Sequence, residues 1–340
     1  MTKRLYWISG ITLLLAAIMA VILGIHRTPF QDEINDTVNK ISPDSFNLIV
    51  YTDVHHDRNQ IDSVDPYTYM LDTVKTITDR VSIDAIWNLG DIINGFYTTK
   101  EEAIAEIRDV TSYEDQVSPN IHRIMGNHDN NIQATYDIYK GYPQSEVLTV
   151  SEMNAVLENT RSEQREVHNN ARPTDYYVDY PDVRMVCLSA DDTAFQPETV
   201  EWLHHEALET DHPVLFLAHI PTRPEWGFHQ DVKGGEEIEQ AIRSFISAGG
   251  TVLGYIHGHD HGDIINPVMD ENGNTLWSEI CVGCTRFHVP KSNGTPGMTF
   301  WPRDAGDETM LLFDVVCMDL KNRHLQLIRF GAGEDREIWY

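Results

Sequence analysis

Five short apolar runs in this 340-residue chain each end abruptly in Asp, Asn or His. Residues 46–51 run into Asp53-Val54-His55, residues 85–89 into Gly90-Asp91, and residues 121–125 into Gly126-Asn127-His128-Asp129. Residues 214–218 end at His219, and residues 251–256 end at His257-Gly258-His259-Asp260-His261. Such runs read as strands. Amphipathic stretches at 67–81, 101–117 and 197–208 read as helices, and the alternation of the two is that of an α/β layered domain. Further strands are expected at 175–180 and 183–189, followed by a β-rich C-terminal third with a turn at Lys321-Asn322. Residues 132–172 are polar and read as an excursion from the core, helical in part. No internal repeat and no second domain boundary shows, so 46–340 reads as one catalytic domain.

Open α/β sheets bind ligands beyond the carboxyl ends of their strands, so the five loops are expected to converge on one crevice. Each loop alone carries little: an Asp-x-His pair is commonly a solvated loop, and Gly-Asp is an ordinary turn. Five in order, each directly after a strand, are hard to reach by accident. Hard oxygen donors mixed with imidazoles suit Mn, Fe, Zn or similar divalent ions, and the supply is enough for two; neither a thiolate-only zinc site nor an all-oxygen calcium cage fits.

Charge narrows the partners. Lys and Arg number 25 against 53 Asp and Glu, for a net charge of −28 and a pI near 4.7. Proteins that coat nucleic acid by neutralising phosphates carry a basic stripe, so no stable nucleic-acid binding is expected. An apolar fraction of 41% excludes disorder as the main theme, and four cysteines are too few for a disulfide scaffold. Cys187 and Cys317 sit in apolar runs. Cys281-Val282-Gly283-Cys284 has redox spacing, but it lies in a strand-like run rather than at a helix start, where a thiolate would be stabilised. It reads as packed thiols or an incidental bridge.

The first thirty residues differ from the rest. Residues 5–25 hold no charge and follow Lys3 and Arg4. As a helix this segment would be about 31 Å long, enough to span a bilayer. A cleaved signal peptide would have a shorter apolar region ending in a small-x-small site, which Ile18-Met19-Ala20 matches poorly. The expectation is an N-terminal transmembrane helix with the catalytic domain outside the cytoplasm, or a secreted domain if the segment is cleaved. Residues 31–45 are polar and read as a tether. The part outside, 31–340, keeps 22 bases and 53 acids, net −31.

With these loops in place, the chain resembles the calcineurin-like metallophosphoesterase superfamily over nearly all of 46–340, including the 183–188 strand and the helix around Gln196 to Leu203. The resemblance implies a four-layer sandwich of two mixed β-sheets flanked by helices. It implies one metal ion held by Asp53, His55 and His261, a second by Asn127, His219 and His259, and Asp91 bridging both. His128 would stay off the metals and face the substrate, with Asp129 behind it; an imidazole there can give a proton to the leaving oxygen or stabilise charge on the phosphoryl oxygens, and Asp129 would orient its ring or simply solvate the loop. His219-Ile220-Pro221 is similar to purple acid phosphatases, but their tyrosinate position, three residues past the Gly-Asp aspartate, is Asn94 here, and they lack a histidine ligand where His55 stands. The chain is thus closer to the non-purple type.

The implied function is hydrolysis of phosphomonoesters or phosphodiesters. Two ions about 3.5–4 Å apart lower the pKa of a shared water, making hydroxide available for in-line attack, and clamp the phosphoryl oxygens. Their identity, Mn, Fe or Zn, and any mixed valence are left open. The alternatives are a non-catalytic metal-binding scaffold on the same fold and a thiol redox protein built on Cys281 and Cys284. His56 and Asp57 read as rim residues, while Arg223, Arg286 and His288 fall near strand ends where a phosphate group would be in reach, although an arginine in a loop usually just faces water and none of the three is singled out.

Overall fold

In the computed structural model, which describes residues 30–58, 61–118, 120–157, 166–223, 232–287 and 298–340, thirteen strands form two sheets. The first has the order β13-β12-β11-β1-β2-β3: Arg336–Trp339, His324–Gly331, Leu312–Asp319, Phe46–Tyr51, Ala85–Asn88 and Ile121–Arg123. The second has the order β4-β5-β6-β7-β8-β10-β9: Glu166–His168, Tyr176–Tyr180, Val183–Leu188, Val214–Ala218, Val252–His257, Thr275–Val282 and Asp263–Met269. Both sheets are mixed. β1, β2 and β3 are parallel while β11 runs antiparallel to β1, and β6, β7 and β8 are parallel while β9 and β4 lie on antiparallel edges.

Side chains alternate between the two faces of a strand, and here both faces are covered. Leu48 and Val50 of β1 meet Met185, Leu215 and Leu217 between the sheets, whereas Ile49 and Tyr51 face the outer helices. Those helices are α1 (Gln31–Lys40), α2 (Ile61–Thr78), α3 (Lys100–Val117) and α4 (Val150–Leu157). On the far side α5 (Pro197–Trp202) and α6 (Gly235–Ser247) cover Phe216, Ala218 and Tyr255 with Trp202, Ile238, Ala241 and Ile242. The result is the expected helix, sheet, sheet, helix sandwich. The parallel runs β1-β2-β3 and β6-β7-β8 bring the loops that follow their strands to one edge of the sandwich.

Three expectations change. Residues 31–40 are a helix and not a tether: Asp32 and Glu33 in its first turn and Lys40 in its last complement the helix dipole. Ile34 and Thr37 are buried, and Lys40 pairs with Asp335 at 2.9 Å. Residues 235–247 form a helix that the pattern reading passed over, and 166–168 add an edge strand to the polar excursion. The apolar segment 5–25 lies outside the described residues, and among the described residues no helix is long and apolar enough to cross a membrane.

Candidate metal centre

Past the ends of β1 and β2 the two chains go on running side by side. The amide of Asp53 donates to Gly90 O at 2.9 Å, that of His55 to Asp91 O at 2.8 Å and that of His56 to Ile92 O at 2.9 Å. This brings Asp53, His55 and Asp91 onto one wall. Gly90 has φ 101°, and a Cβ there would fall 2.6 Å from Gly126 N, so only glycine lets the second and third loops touch. At Gly258 a Cβ would lie 2.0 Å from Thr52 Oγ1, and its absence lets the 257–261 loop close over Asp53.

Each carboxylate has one oxygen tied to the backbone and one aimed inward. Asp53 Oδ2 accepts from the Thr52 hydroxyl at 2.8 Å and the His259 amide at 2.9 Å; Asp91 Oδ1 accepts from the His128 amide at 2.9 Å. Asp53 Oδ1 lies 3.1 Å from His261 Nε2 and 3.6 Å from His55 Nε2. Asp91 Oδ2 lies 3.2 Å from His219 Nε2, 3.6 Å from His55 Nε2 and 3.9 Å from His128 Nε2. His55 and His261 present Nε2 to one another at 3.0 Å, and Asn127 Oδ1 lies 2.9 Å from His219 Nε2 and 2.8 Å from His259 Nδ1. Every residue read from the sequence as a ligand therefore meets in one place. They form one group of Asp53, His55 and His261 and another of Asp91, Asn127, His219 and His259.

Backbone strain concentrates here. Of nine non-glycine residues with positive φ among those described, five are in the centre: Asp53 at 53°, His55 at 44°, Asp91 at 50°, His259 at 70° and His261 at 60°. Such conformations cost roughly 1–3 kcal/mol each and persist where the surroundings over-determine them, as at functional sites.

The electrostatics agree with the crowding of donors. Burial, helped by the neighbouring His128 and His261, pushes the His55 imidazole down to about 3 against the pull of Asp53 and Asp91. Burial also acts to lower His219, but the Asp91 carboxylate beside it prevails and raises it to about 9. Asp91, in turn, would be raised by burial but is held well below the usual carboxylate range by His219 and His128. Among the described residues no Lys or Arg side chain pairs with the carboxylate of Asp53 or Asp91. Buried imidazoles facing carboxylate and amide oxygens, with no basic side chain to balance them, are a donor set for divalent cations of the Mn, Fe or Zn kind.

His128 Nδ1 is 2.6 Å from the Asn94 carbonyl, so Nδ1 carries the proton and donates, and Nε2 turns toward Asp91. The role expected of Asp129 is corrected by this contact. Asp129 is fully buried and does not orient the His128 ring: its Oδ1 accepts from the amides of Ile92 at 2.7 Å and Ile93 at 3.2 Å, and its Oδ2 from Gly126 at 2.7 Å. Burial and the Asp91 charge raise it to about 7.

His56 is not at the rim. It is buried, with Nδ1 2.6 Å from Glu106 Oε1. Asp57 is half-buried and accepts from Asn94 Nδ2 at 3.3 Å. Arg223 is engaged by Glu239, with Nη2 2.6 Å from Oε2, whereas Arg286 reaches the centre: its amide donates to Asp53 O at 3.0 Å and its Nη1 to Asn94 Oδ1 at 2.9 Å. His288 lies outside the described residues. Cys281 and Cys284 are buried thiols not joined in a disulfide, and they donate to Gly258 O at 3.2 Å and Asp53 O at 3.3 Å. They sit against the backs of two metal-site loops.

The sequence reading missed Glu106 and Glu114 of α3. They share the buried face of that helix with Ala103, Ile107 and Val110. Glu106 holds His56 and Arg58; Glu114 collects Tyr51 at 2.6 Å, Tyr67 and Asn88 at 2.8 Å, and Arg123. A carboxylate at core spacing on an amphipathic helix was the available signal.

The family model for calcineurin-like phosphoesterases matches residues 46–263, more than half of the chain. The chain belongs to the calcineurin-like phosphoesterase family. Among solved structures, a dimetal phosphatase from Danio rerio superposes with a TM-score of 0.57 at 15% identity, over 87% of this chain and 99% of that one. A NAD nucleotidase from Haemophilus influenzae superposes with a TM-score of 0.44 at 8% identity, over 86% of this chain and 49% of that one. At 15% identity the first likeness is one of fold. The sequence matches no curated protein. Membership makes metal-dependent phosphoester hydrolysis the activity expected of this calcineurin-like domain.

Proposed function

We propose that this chain hydrolyses phosphate monoesters or diesters with two divalent ions. Asp53, His55 and His261 would hold one; Asn127, His219 and His259 would hold the other; and Asp91 would serve both. The observation that carries this reading is Asp91 Oδ2, 3.2 Å from His219 in one group and 3.6 Å from His55 in the other. When bound, such ions lower the pKa of a water and neutralise charge on phosphoryl oxygens. The chain's own part is to fix the donors through strained, glycine-supported loops. It also holds the His128 ring through the Nδ1–H bond to the Asn94 carbonyl, so that the ring, when doubly protonated, can give its Nε2 proton to the leaving oxygen.

We further propose that the domain works outside the cytoplasm, anchored by residues 5–25 or released if that segment is cleaved. The charge-free stretch behind Lys3 and Arg4 supports this.

The test is a panel of aryl phosphate mono- and diesters on the full chain, stripped of metal and reloaded with Mn, Zn or Fe. Turnover that appears only after loading, at two ions per chain, is expected. No turnover with any of the three metals on either ester class would overturn the reading. For location, protease added to intact cells should release an active fragment; protection until lysis would place the domain inside.

A further inference from the structure

We infer that a third divalent ion, of the zinc type, binds between His257, Asp260 and Cys281, behind the loop that carries His259 and His261. It is separate from the two ions of the centre and serves the fold, so turnover still follows the pair in the centre.

The strands bring the donors together. His257 is the last residue of β8, and Cys281 of β10 is its partner in the parallel register. Side chains at paired positions project to one face of a sheet, which sets imidazole and thiol side by side. Past β8 the chain turns, with the Asp260 amide donating to Gly258 O at 2.8 Å. The turn sends His259 and His261 to the centre and Asp260 to the other group. A ring nitrogen of His257, a carboxylate oxygen of Asp260 and Sγ of Cys281 lie within 4.8 Å of one another, and all three residues are buried. Around a tetrahedral zinc ion, with bonds of about 2.0–2.3 Å, donors stand about 3.5 Å apart, so small side-chain movements close the set on an ion.

The hydrogen bonding leaves donor capacity unused. The Gly258 carbonyl faces the Asp260 amide at 2.8 Å, His257 Nδ1 at 3.0 Å and Cys281 Sγ at 3.2 Å. A carbonyl oxygen has two lone pairs for these three donors, and the thiol is the weakest of them. His257 Nε2 is buried and has no hydrogen-bond partner among the described residues. An ion relieves both conditions: the imidazole gives it a lone pair, and the thiol releases its proton to solvent as sulfur bonds the metal. The thiolate and the Asp260 carboxylate then carry two negative charges, which a divalent ion cancels in a buried place where charge is otherwise costly.

The donor types decide the metal. A thiolate with an imidazole and one carboxylate selects zinc over manganese, whereas the centre, built from nitrogen and oxygen alone, accepts either. Bound there, the ion ties the ends of β8 and β10 to Asp260, which lies between His259 and His261 in the chain.

The experiment uses the full chain produced with cobalt(II) supplied in place of zinc and kept reduced, read by elemental analysis and by the near-ultraviolet charge-transfer band that a thiolate gives on cobalt(II). Three ions per chain and the band are expected in the wild type, against two ions when manganese is supplied. Cys281→Ser should lose the band and one ion, His257→Gln should lose one ion, and Cys284→Ser should keep three ions and the band. Two cobalt ions without the band would mean that a buried water and not an ion meets His257, and would overturn the inference, as would a third ion without the band. A band that Cys284→Ser removes would put the thiolate beside Asp53 instead, and this assignment stands even if Cys281→Ser fails to fold. The band with a single ion per chain would uphold the thiolate site and overturn the pair of ions in the centre.

Discussion

Asp129 Oδ1 lies 2.7 Å from the amide nitrogen of Ile92, and through that bond a carboxylate next to His128 in sequence governs the loop that carries Asp91. Its second oxygen takes the Gly126 amide, so one side chain clamps the second loop to the third. Outer groups that fix a ligand typically account for 10–100-fold in metal affinity. Asp129→Ala should therefore weaken metal binding by about that factor and lower stability by about 1–3 kcal/mol, since three buried amides lose their acceptor. Metal titration with a competing chelator checks it. Full metal affinity with a turnover defect confined to poor leaving groups would instead return Asp129 to the role of ring orienter.

The position of Asp91 between His219 and His55 gives a second expectation. Asp91→Asn keeps the size of the side chain and an oxygen that can accept the His128 amide, but removes the charge that both groups of imidazoles face. Metal content should fall at both positions together, and elemental analysis of the purified variant reads this directly. A variant that kept one ion at full occupancy would confine Asp91 to a single position.

The five strand-end loops were legible because apolar runs such as 46–51 and 214–218 stop at residues with no use in a core. Other parts rest on contacts that no local pattern encodes. The helix at 31–40 buries only Ile34 and Thr37, too little apolar surface for a periodicity reading to find. Asp129 sits in the same Gly-Asn-His-Asp run as His128, and its true partners, Ile92 and Ile93, are distant in sequence. The left-handed backbone at Asp53, His55, Asp91, His259 and His261 was hidden as well, because these positions hold ligands and not the glycine that would advertise the conformation. Cys281 and Cys284 show the opposite failure: a motif-like spacing that the structure uses only to back two loops.

His128 Nε2 stands 3.9 Å from Asp91 Oδ2, farther than that of His219 at 3.2 Å or His55 at 3.6 Å, and its place off the ions is testable. His128→Ala should keep both ions while losing about 10²–10⁴-fold in turnover on esters with poor leaving groups, and much less on nitrophenyl esters. The slope of log kcat/KM against leaving-group pKa, compared between wild type and variant, is the measurement. A uniform loss across the series, or a missing ion, would make His128 a holder of substrate or metal.

Glu279, in β10, is fully buried and accepts hydrogen bonds from the Thr222 hydroxyl and, at 3.2 Å, from the Thr222 amide. Burial, with Glu239 adding to it, raises its carboxyl from 4.5 to about 8 in spite of those bonds. The folded protein therefore keeps a proton that the unfolded chain gives up from about pH 4.5 upward, and unfolding becomes easier as pH climbs toward 8. Glu279→Gln imitates the protonated form: its oxygen can take the Thr222 amide and its NH2 can face the Thr222 hydroxyl. Across pH 5 to 8 wild type should lose stability relative to the variant by an amount on the order of a few kcal/mol, the gap widening steadily with pH. Urea unfolding midpoints of the metal-free proteins, measured in parallel, isolate this residue from other titrating groups because those are common to both chains. Parallel curves would mean that Glu279 keeps its charge in the fold, and the opposite trend, wild type gaining on the variant as pH rises, would mean that its charge is stabilised there.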